Sequence, residues 1–125
     1  MFADHDSMAT VAVKKLEVAR KFYEGVLGLK PVHTEGKEAV AYKTGKSSLL
    51  VYQSQFSGTN KATAASWAVG NEMKDIVKTL KSKGVSFEHY DFPGVVMDGD
   101  IHVMGKMKNA WFKDPDGNIL ALASG

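Results

Sequence analysis

Apolar side chains recur at helical spacing twice along this chain, each time after one short apolar run and before several more. Leu16, Ala19, Tyr23, Val26 and Leu27 form the first stripe, and Val18 and Phe22 widen it. A stripe of that kind buries one side of a helix against a core. Gly28 follows at once, where a helix commonly stops in a left-handed residue. In the second half Met73, Ile76, Val77 and Leu80 fit the i, i+3, i+4, i+7 template. Asn71 is placed to cap that helix, and Lys81, Lys83 and Gly84 to end it.

Strand-like runs surround both helices. Val11–Val13 precedes the first, and Leu29–His33, Ala39–Lys43 and Ser48–Tyr52 follow it, broken by Glu35-Gly36-Lys37 and Thr44-Gly45-Lys46. Ser66–Val69 precedes the second, and Val85–Tyr90, Lys108–Phe112 and Ile119–Ala123 follow. Each half therefore reads β-α-β-β-β. Val13 and Val69 are 56 positions apart, as are Gly28 and Gly84, while Leu49–Tyr52 and Ile119–Leu122 are 70 apart. The excess falls in a long loop, Asp91–Met107. Strand, helix, glycine stop and three strands in the same order make an internal repeat. The modules cover about residues 6–53 and 62–125, joined by the Ser-, Gly-, Thr- and Asn-rich stretch Gln53–Lys61. One module could not cover its own sheet, so residues 1–125 are expected to form a single domain. Asp114-Pro115-Asp116-Gly117 suits a type I turn and makes the last two strands a hairpin.

Composition narrows the function classes. A chain of 125 residues buries a real core without metals or disulfides, and this one has no cysteine. That removes thiol nucleophiles and cysteine zinc sites, and it fits a reducing compartment. The net charge is only +2, and the most basic stretch, Lys74–Lys83, reads as a solvated helix face rather than a nucleic-acid patch. No apolar run approaches the ~20 residues that span a bilayer, and no signal peptide is visible at Met1–Asp6. A cytoplasmic protein with neither membrane nor nucleic acid as partner is expected.

Three segments carry a family likeness: Val11–Val13 through Ala19-Arg20-Lys21-Phe22-Tyr23-Glu24-Gly25-Val26-Leu27-Gly28-Leu29; Trp67–Val69 through Leu80 and Gly84-Val85; and Trp111-Phe112-Lys113-Asp114-Pro115-Asp116-Gly117-Asn118. In this order the chain resembles the vicinal oxygen chelate superfamily. It is most similar to small bacterial glyoxalase/bleomycin-resistance/dioxygenase-like members. The resemblance implies an α+β fold in which two βαβββ modules form a half-open, cup-shaped mixed sheet of eight strands, with helices outside and a ligand cavity inside. It also implies a homodimer.

Metal-using relatives place His, Gln or Glu at four cup positions, which the resemblance maps to Met8, Val51, Ala64 and Ala121. None of these side chains suits a catalytic divalent ion, which wants oxygen and imidazole donors. His5, His33, His89 and His102 show no HxH, HxxxH or HExxH spacing. No metal and no other cofactor is therefore expected, although a site built from His5, His89 and an acid stays open. Strand alternation sends Met8, Thr10 and Ala12 into the cup, with Ala64, Ser66 and Ala68, Leu49, Val51 and Gln53, and Ile119, Ala121 and Ala123. Tyr42 is a further pocket candidate, and so are His89 and Tyr90, which point to opposite faces so that at most one of the two enters the cup. His89 is also a candidate general base. Only one of Trp111 and Phe112 can face inward, and Trp111 is taken as the cavity wall. Met97, Met104 and Met107 could form an adaptable lid or fill gaps. The expected function is metal-independent binding of a small, largely apolar or aromatic molecule. The alternative is a lyase, isomerase or dioxygenase of the same superfamily, using an acid–base pair or an atypical metal site. Whether any reaction is catalysed is left open.

Overall fold

The computed structural model describes residues 1–124 and forms two mixed sheets and two main helical segments. Strand β1 (Ala9–Val13) leads into helix α1 (Leu16–Arg20), whose last turns, Lys21–Val26, widen to π geometry. Gly28, at φ 75°, then ends the helix as its sequence suggests. Strands β2 (Lys30–Glu35), β3 (Ala39–Thr44) and β4 (Ser47–Gln53) complete the first sheet in the order β1-β4-β3-β2, with β1 parallel to β4.

The second module repeats the plan. Strand β5 (Thr63–Ala68) precedes a 3₁₀ turn at Gly70–Glu72 and helix α2 (Met73–Ser82). Asn71 lies inside that turn, and α2 starts without a side-chain cap, contrary to the expectation for Asn71. Next come β6 (Phe87–Glu88), β7 (Val96–Asp98), β8 (Ile101–Met104), β9 (Met107–Lys113) and β10 (Ile119–Ser124). Their order is β5-β10-β9-β8-β7, with β6 also paired to β9. The described chain thus has ten strands where the resemblance implied eight. The expected sixth strand, 85–90, shrinks to two residues, and the long loop contains the hairpin β7–β8. Its two-residue connection is Gly99-Asp100, with Gly99 at φ 62° in the first loop position, where a type II′ hairpin places glycine.

Both helices cover the same side of the sheets, and the buried residues on that side form one core. Val11, Val13, Tyr42, Leu49 and Val51 from the first module join Ala110, Phe112, Leu120 and Leu122 from the second. Tyr23 and Phe22 of α1 bridge them, stacking on Tyr42 at 6.1 Å and packing on Phe112 at 6.4 Å between ring centroids. The sheets do not close on each other, so the face away from the helices stays open as the inside of a cup.

The Asp114–Asn118 turn locks the modules together. Asp114 is buried; one carboxylate oxygen accepts the Asp116 and Asn118 amides at 2.9 Å, and the other accepts Tyr23 Oη–H and Asn118 Nδ2–H at 2.8 Å. Asn118 Nδ2 also donates to the Ala12 carbonyl at 2.7 Å, and Asp116 accepts the Lys14 amide at 3.1 Å. The linker passes so close that a Cβ on Gly58 would lie 2.1 Å from the Asp116 carbonyl oxygen.

Candidate functional site

Register decides which side chains face the open side of the sheets. On β10, Leu120 and Leu122 belong to the core, so Ala121 and Ala123 face away from the helices. Ala121 pairs with Ser66 on β5 and with Trp111 on β9, which places all three on the helix-free face. On β1, Val11 and Val13 belong to the core and leave Thr10 and Ala12 on the open side, with Met8 on the same alternation just before the strand. The floor of this face is made of small side chains.

On β4 the expected alternation is inverted. Val51 pairs with Val11 and Leu49 with Ala9, and both Val51 and Leu49 are core residues, so Leu50 and Tyr52 are the side chains on the open face. The repeat explains the error. Lys43 pairs with Ser48, whereas Lys113 pairs with Ile119, so the offset of 70 that holds for β3 and β9 becomes 71 for β4 and β10. A one-residue change of offset moves every side chain to the other face. Gln53 likewise faces the helix side and not the cup: its Oε1 accepts the Leu16 amide at 3.1 Å and caps α1. Tyr42 is buried in the core and donates to Glu24 Oε2 at 2.8 Å. Burial, and then that bond, push the Tyr42 hydroxyl pKa up. Ala64 falls at the bulge between the Thr63–Ile119 and Ala65–Leu120 pairs and packs against the core.

A wall of rings rises beside this floor. Trp111 stands 4.8 Å from His102, 5.4 Å from Tyr90 and 5.7 Å from Phe92 between ring centroids. Phe112, its neighbour, points the other way and packs on Phe87 in the core. His102 pairs with Met97 across β7 and β8, so this methionine shares its face. Met104 pairs with Met107 at the end of β8 and β9, so these methionines belong to paired strands and not to a loose lid. His102 is fully buried, and its Nε2 accepts the Tyr90 backbone N–H at 2.8 Å. Burial and the Glu88 carboxylate push the Tyr90 hydroxyl pKa up, so it stays a donor. Sequence reasoning named Tyr90 and Trp111 as pocket candidates but missed His102 and Phe92 between them. The alternation Ile101-His102-Val103 after Asp98-Gly99 was the signal that could have found His102.

His89 sits at the outer edge of the ring cluster, its ring centroid 6.1 Å from that of His102. It is more than half exposed, and its Nε2 is 2.7 Å from Asp100 Oδ1, whose other oxygen accepts Lys81 Nζ at 2.7 Å. His33 pairs with Glu35 on the exposed strand β2, and His5 lies upstream of β1. Among the described residues no three His, Asp or Glu side chains converge as a metal would need. Of the four positions that the resemblance maps to metal ligands, Met8 and Ala121 lie on the open face, Ala64 at the bulge and Val51 in the core, and this donor set does not fit a catalytic divalent ion.

Two further spaces flank the sheets. A cavity of about 510 Å³ opens at Lys61, Thr63, Tyr90, Phe92, Trp111 and Ile119, beside the ring wall. An apolar groove of about 370 Å³ lies between the helices on the opposite side, lined by Val26, Leu27, Trp67 and Ile76 among others. Trp67 is fixed there by a 2.9 Å bond to Thr44 Oγ1. Among the described residues no helix is long and apolar enough to cross a membrane.

The fold has close counterparts among solved structures. An integron cassette protein from the mobile metagenome of a Halifax Harbour sewage outfall superposes with a TM-score of 0.71 at 20% identity, covering 94% of this chain and 96% of its own. Lactoylglutathione lyase from Agrobacterium tumefaciens gives 0.71 at 18% identity, covering 97% and 93%. The fosfomycin resistance protein FosX from Listeria monocytogenes gives 0.73 at 15% identity, covering 97% and 93%. At these identities the likeness concerns the fold. No curated protein matches the sequence. Residues 6–122 match the profile of the Glyoxalase/Bleomycin resistance protein/Dioxygenase superfamily, which spans nearly all of the chain, and the protein belongs to that superfamily.

Proposed function

We propose that the protein binds a small, largely apolar or aromatic molecule on its helix-free face, without a metal ion. The observation that carries this reading is the wall of Tyr90, Phe92, His102 and Trp111 beside a floor of small side chains such as Ser66 and Ala121. Such a surface offers dispersion contact and ring stacking with few polar anchors, the usual make-up of a small-molecule site. We further propose that the protein acts in the cytoplasm as a homodimer. Strand β2 is the exposed outer edge of the first sheet, with Val32 60% accessible, and the unpaired backbone of an edge strand offers pairing to a second copy.

The test is thermal unfolding with a panel of small aromatic and aliphatic compounds in the presence of a chelator. A rise in Tm of several degrees is expected with aromatic compounds, and it should vanish in Trp111→Ala. Stabilisation that requires an added divalent metal, or that survives in Trp111→Ala, would remove this reading. Sedimentation of the same samples checks for the dimer.

The second reading, an acid–base enzyme of the superfamily, draws on the His89–Asp100 bond of 2.7 Å, the arrangement of a base and its orienting carboxylate. Turnover of a stabilising compound that is lost in His89→Gln would favour it.

A further inference from the structure

Two polar atoms inside the ring cluster have no partner among the described residues: the Tyr90 hydroxyl and His102 Nδ1. Buried polar atoms are nearly always hydrogen-bonded, so two orphans in one cluster mark a missing group. The chemistry of that group can be read from His102. Its Nε2 accepts the Tyr90 amide at 2.8 Å, so Nε2 carries no proton and the hydrogen of the neutral ring sits on Nδ1. Nδ1–H can therefore only donate. The Tyr90 hydroxyl supplies a second donor. Trp111 offers no third, because its Nε1–H is committed to Thr63 Oγ1 at 3.1 Å.

We infer that the ligand is an aromatic molecule bearing a neutral acceptor oxygen, such as an aryl ketone, aldehyde or quinone carbonyl. That oxygen takes the hydrogen bonds of Tyr90 Oη–H and His102 Nδ1–H while the ring packs against Trp111 and Phe92. The inference rests on the binding role proposed above for the same face. A ring is required by the apolar aromatic surroundings, and an acceptor by the two donors. Neutrality follows from the charges around the cluster: Lys61 is matched by Asp91 in the lining of the adjacent cavity, and Lys113 pairs with Glu88 at 3.1 Å beside Tyr90, so neither sign prevails. Desolvating a carboxylate among these rings would leave its charge without compensation. Both donor atoms are closed off from water, so the ligand reaches them when Phe92 turns aside. Phe92 is 37% exposed and lies between β6 and β7, outside any strand ladder.

The experiment compares 2-acetylnaphthalene, 2-ethylnaphthalene and 2-naphthoate by NMR titration of the intact protein, following the two indole N–H signals. The Trp111 signal reports the proposed site and the Trp67 signal the groove between the helices. The ketone should move the Trp111 signal and bind at least tenfold more tightly than the hydrocarbon of the same shape. Tyr90→Phe should cut that preference to within about threefold. It should leave the Tm of the free protein unchanged or higher, because it deletes an unpaired buried hydroxyl. The His102 Nδ1 proton should become protected from exchange with the ketone and not with the hydrocarbon. Equal binding of ketone and hydrocarbon at Trp111 overturns the acceptor inference and leaves the binding role standing. Preferential binding of 2-naphthoate overturns the requirement for a neutral oxygen. A lowered Tm in Tyr90→Phe with an unchanged ketone preference assigns the hydroxyl to a buried water and also overturns the inference. No movement of the Trp111 signal with any probe removes the binding role itself.

Discussion

Asp100 receives Lys81 on one oxygen and His89 on the other, and those bonds hold its carboxyl below the ordinary range. The consequence for stability has a definite sign. A carboxyl with a lowered folded-state pKa keeps its charge in acid that already protonates the unfolded chain, so its contribution is full above ~4 and fades as pH falls through the lowered value. Lys81 and His89 are more than half exposed, so the contribution is small, about 0.2–1 kcal/mol. Asp100→Asn should lower Tm at neutral pH by a degree or two, and the gap to the parent should close as pH falls below ~4. A gap that stays constant down to pH ~3 would mean that Asp100 acts through packing rather than charge. At this scale the sequence was a weak guide. His89 drew attention as a candidate general base, yet it is exposed and pairs with Asp100, while His102 fell within the expected loop Asp91–Met107. What separates them is the hairpin that swings His102 under Trp111, at which only the short alternation Ile101-His102-Val103 after Asp98-Gly99 hints locally.

Elements were more legible. The helical stripes placed α1 and α2, Gly28 and Gly84 marked their ends, and Asp114-Pro115-Asp116-Gly117 located the last hairpin. Parity was legible on β10 and not on β4, because apolar side chains occupy both faces of β4 and its turn is shorter than that of β10. Gly45 and Lys46 alone separate Thr44 from Ser47, whereas five residues separate Lys113 from Ile119. The longer turn is also where the elements are joined. Tyr23, Asp114 and Asn118 share one buried carboxylate, so their contributions should not add. Tyr23→Phe should cost about 1.5–3 kcal/mol and Asn118→Ala about 2–3 kcal/mol, the latter also freeing the Ala12 carbonyl. Denaturant unfolding of the double variant should show a loss smaller than the sum by 0.5 kcal/mol or more, a coupling of about the size expected in one network. Simple additivity would mean that the Asp114 turn does not act as a unit.

At the scale of the molecule the two modules are copies in sequence yet share one core. Phe22 and Tyr23 leave the first module to touch Phe112 and Asp114 of the second, and Trp67 of β5 returns the contact to Thr44 of β3. A repeat whose units each held a private core could lose one half and keep the other. Here the buried side chains of both sheets and both helices form one cluster, so each half loses part of its cover once the other opens. Phe112→Ala tests this. Deleting a fully buried ring should cost about 3–5 kcal/mol, and the loss should be felt by the whole chain. Amide exchange should accelerate by a similar factor in β1 and β4 of the first module as in β9 and β10, where the cavity is made. Faster exchange confined to the second module would show that the halves unfold separately. The open face would then be a surface assembled from two units, and its ring wall could loosen without disturbing Thr10, Ala12 and Tyr52 on the other sheet.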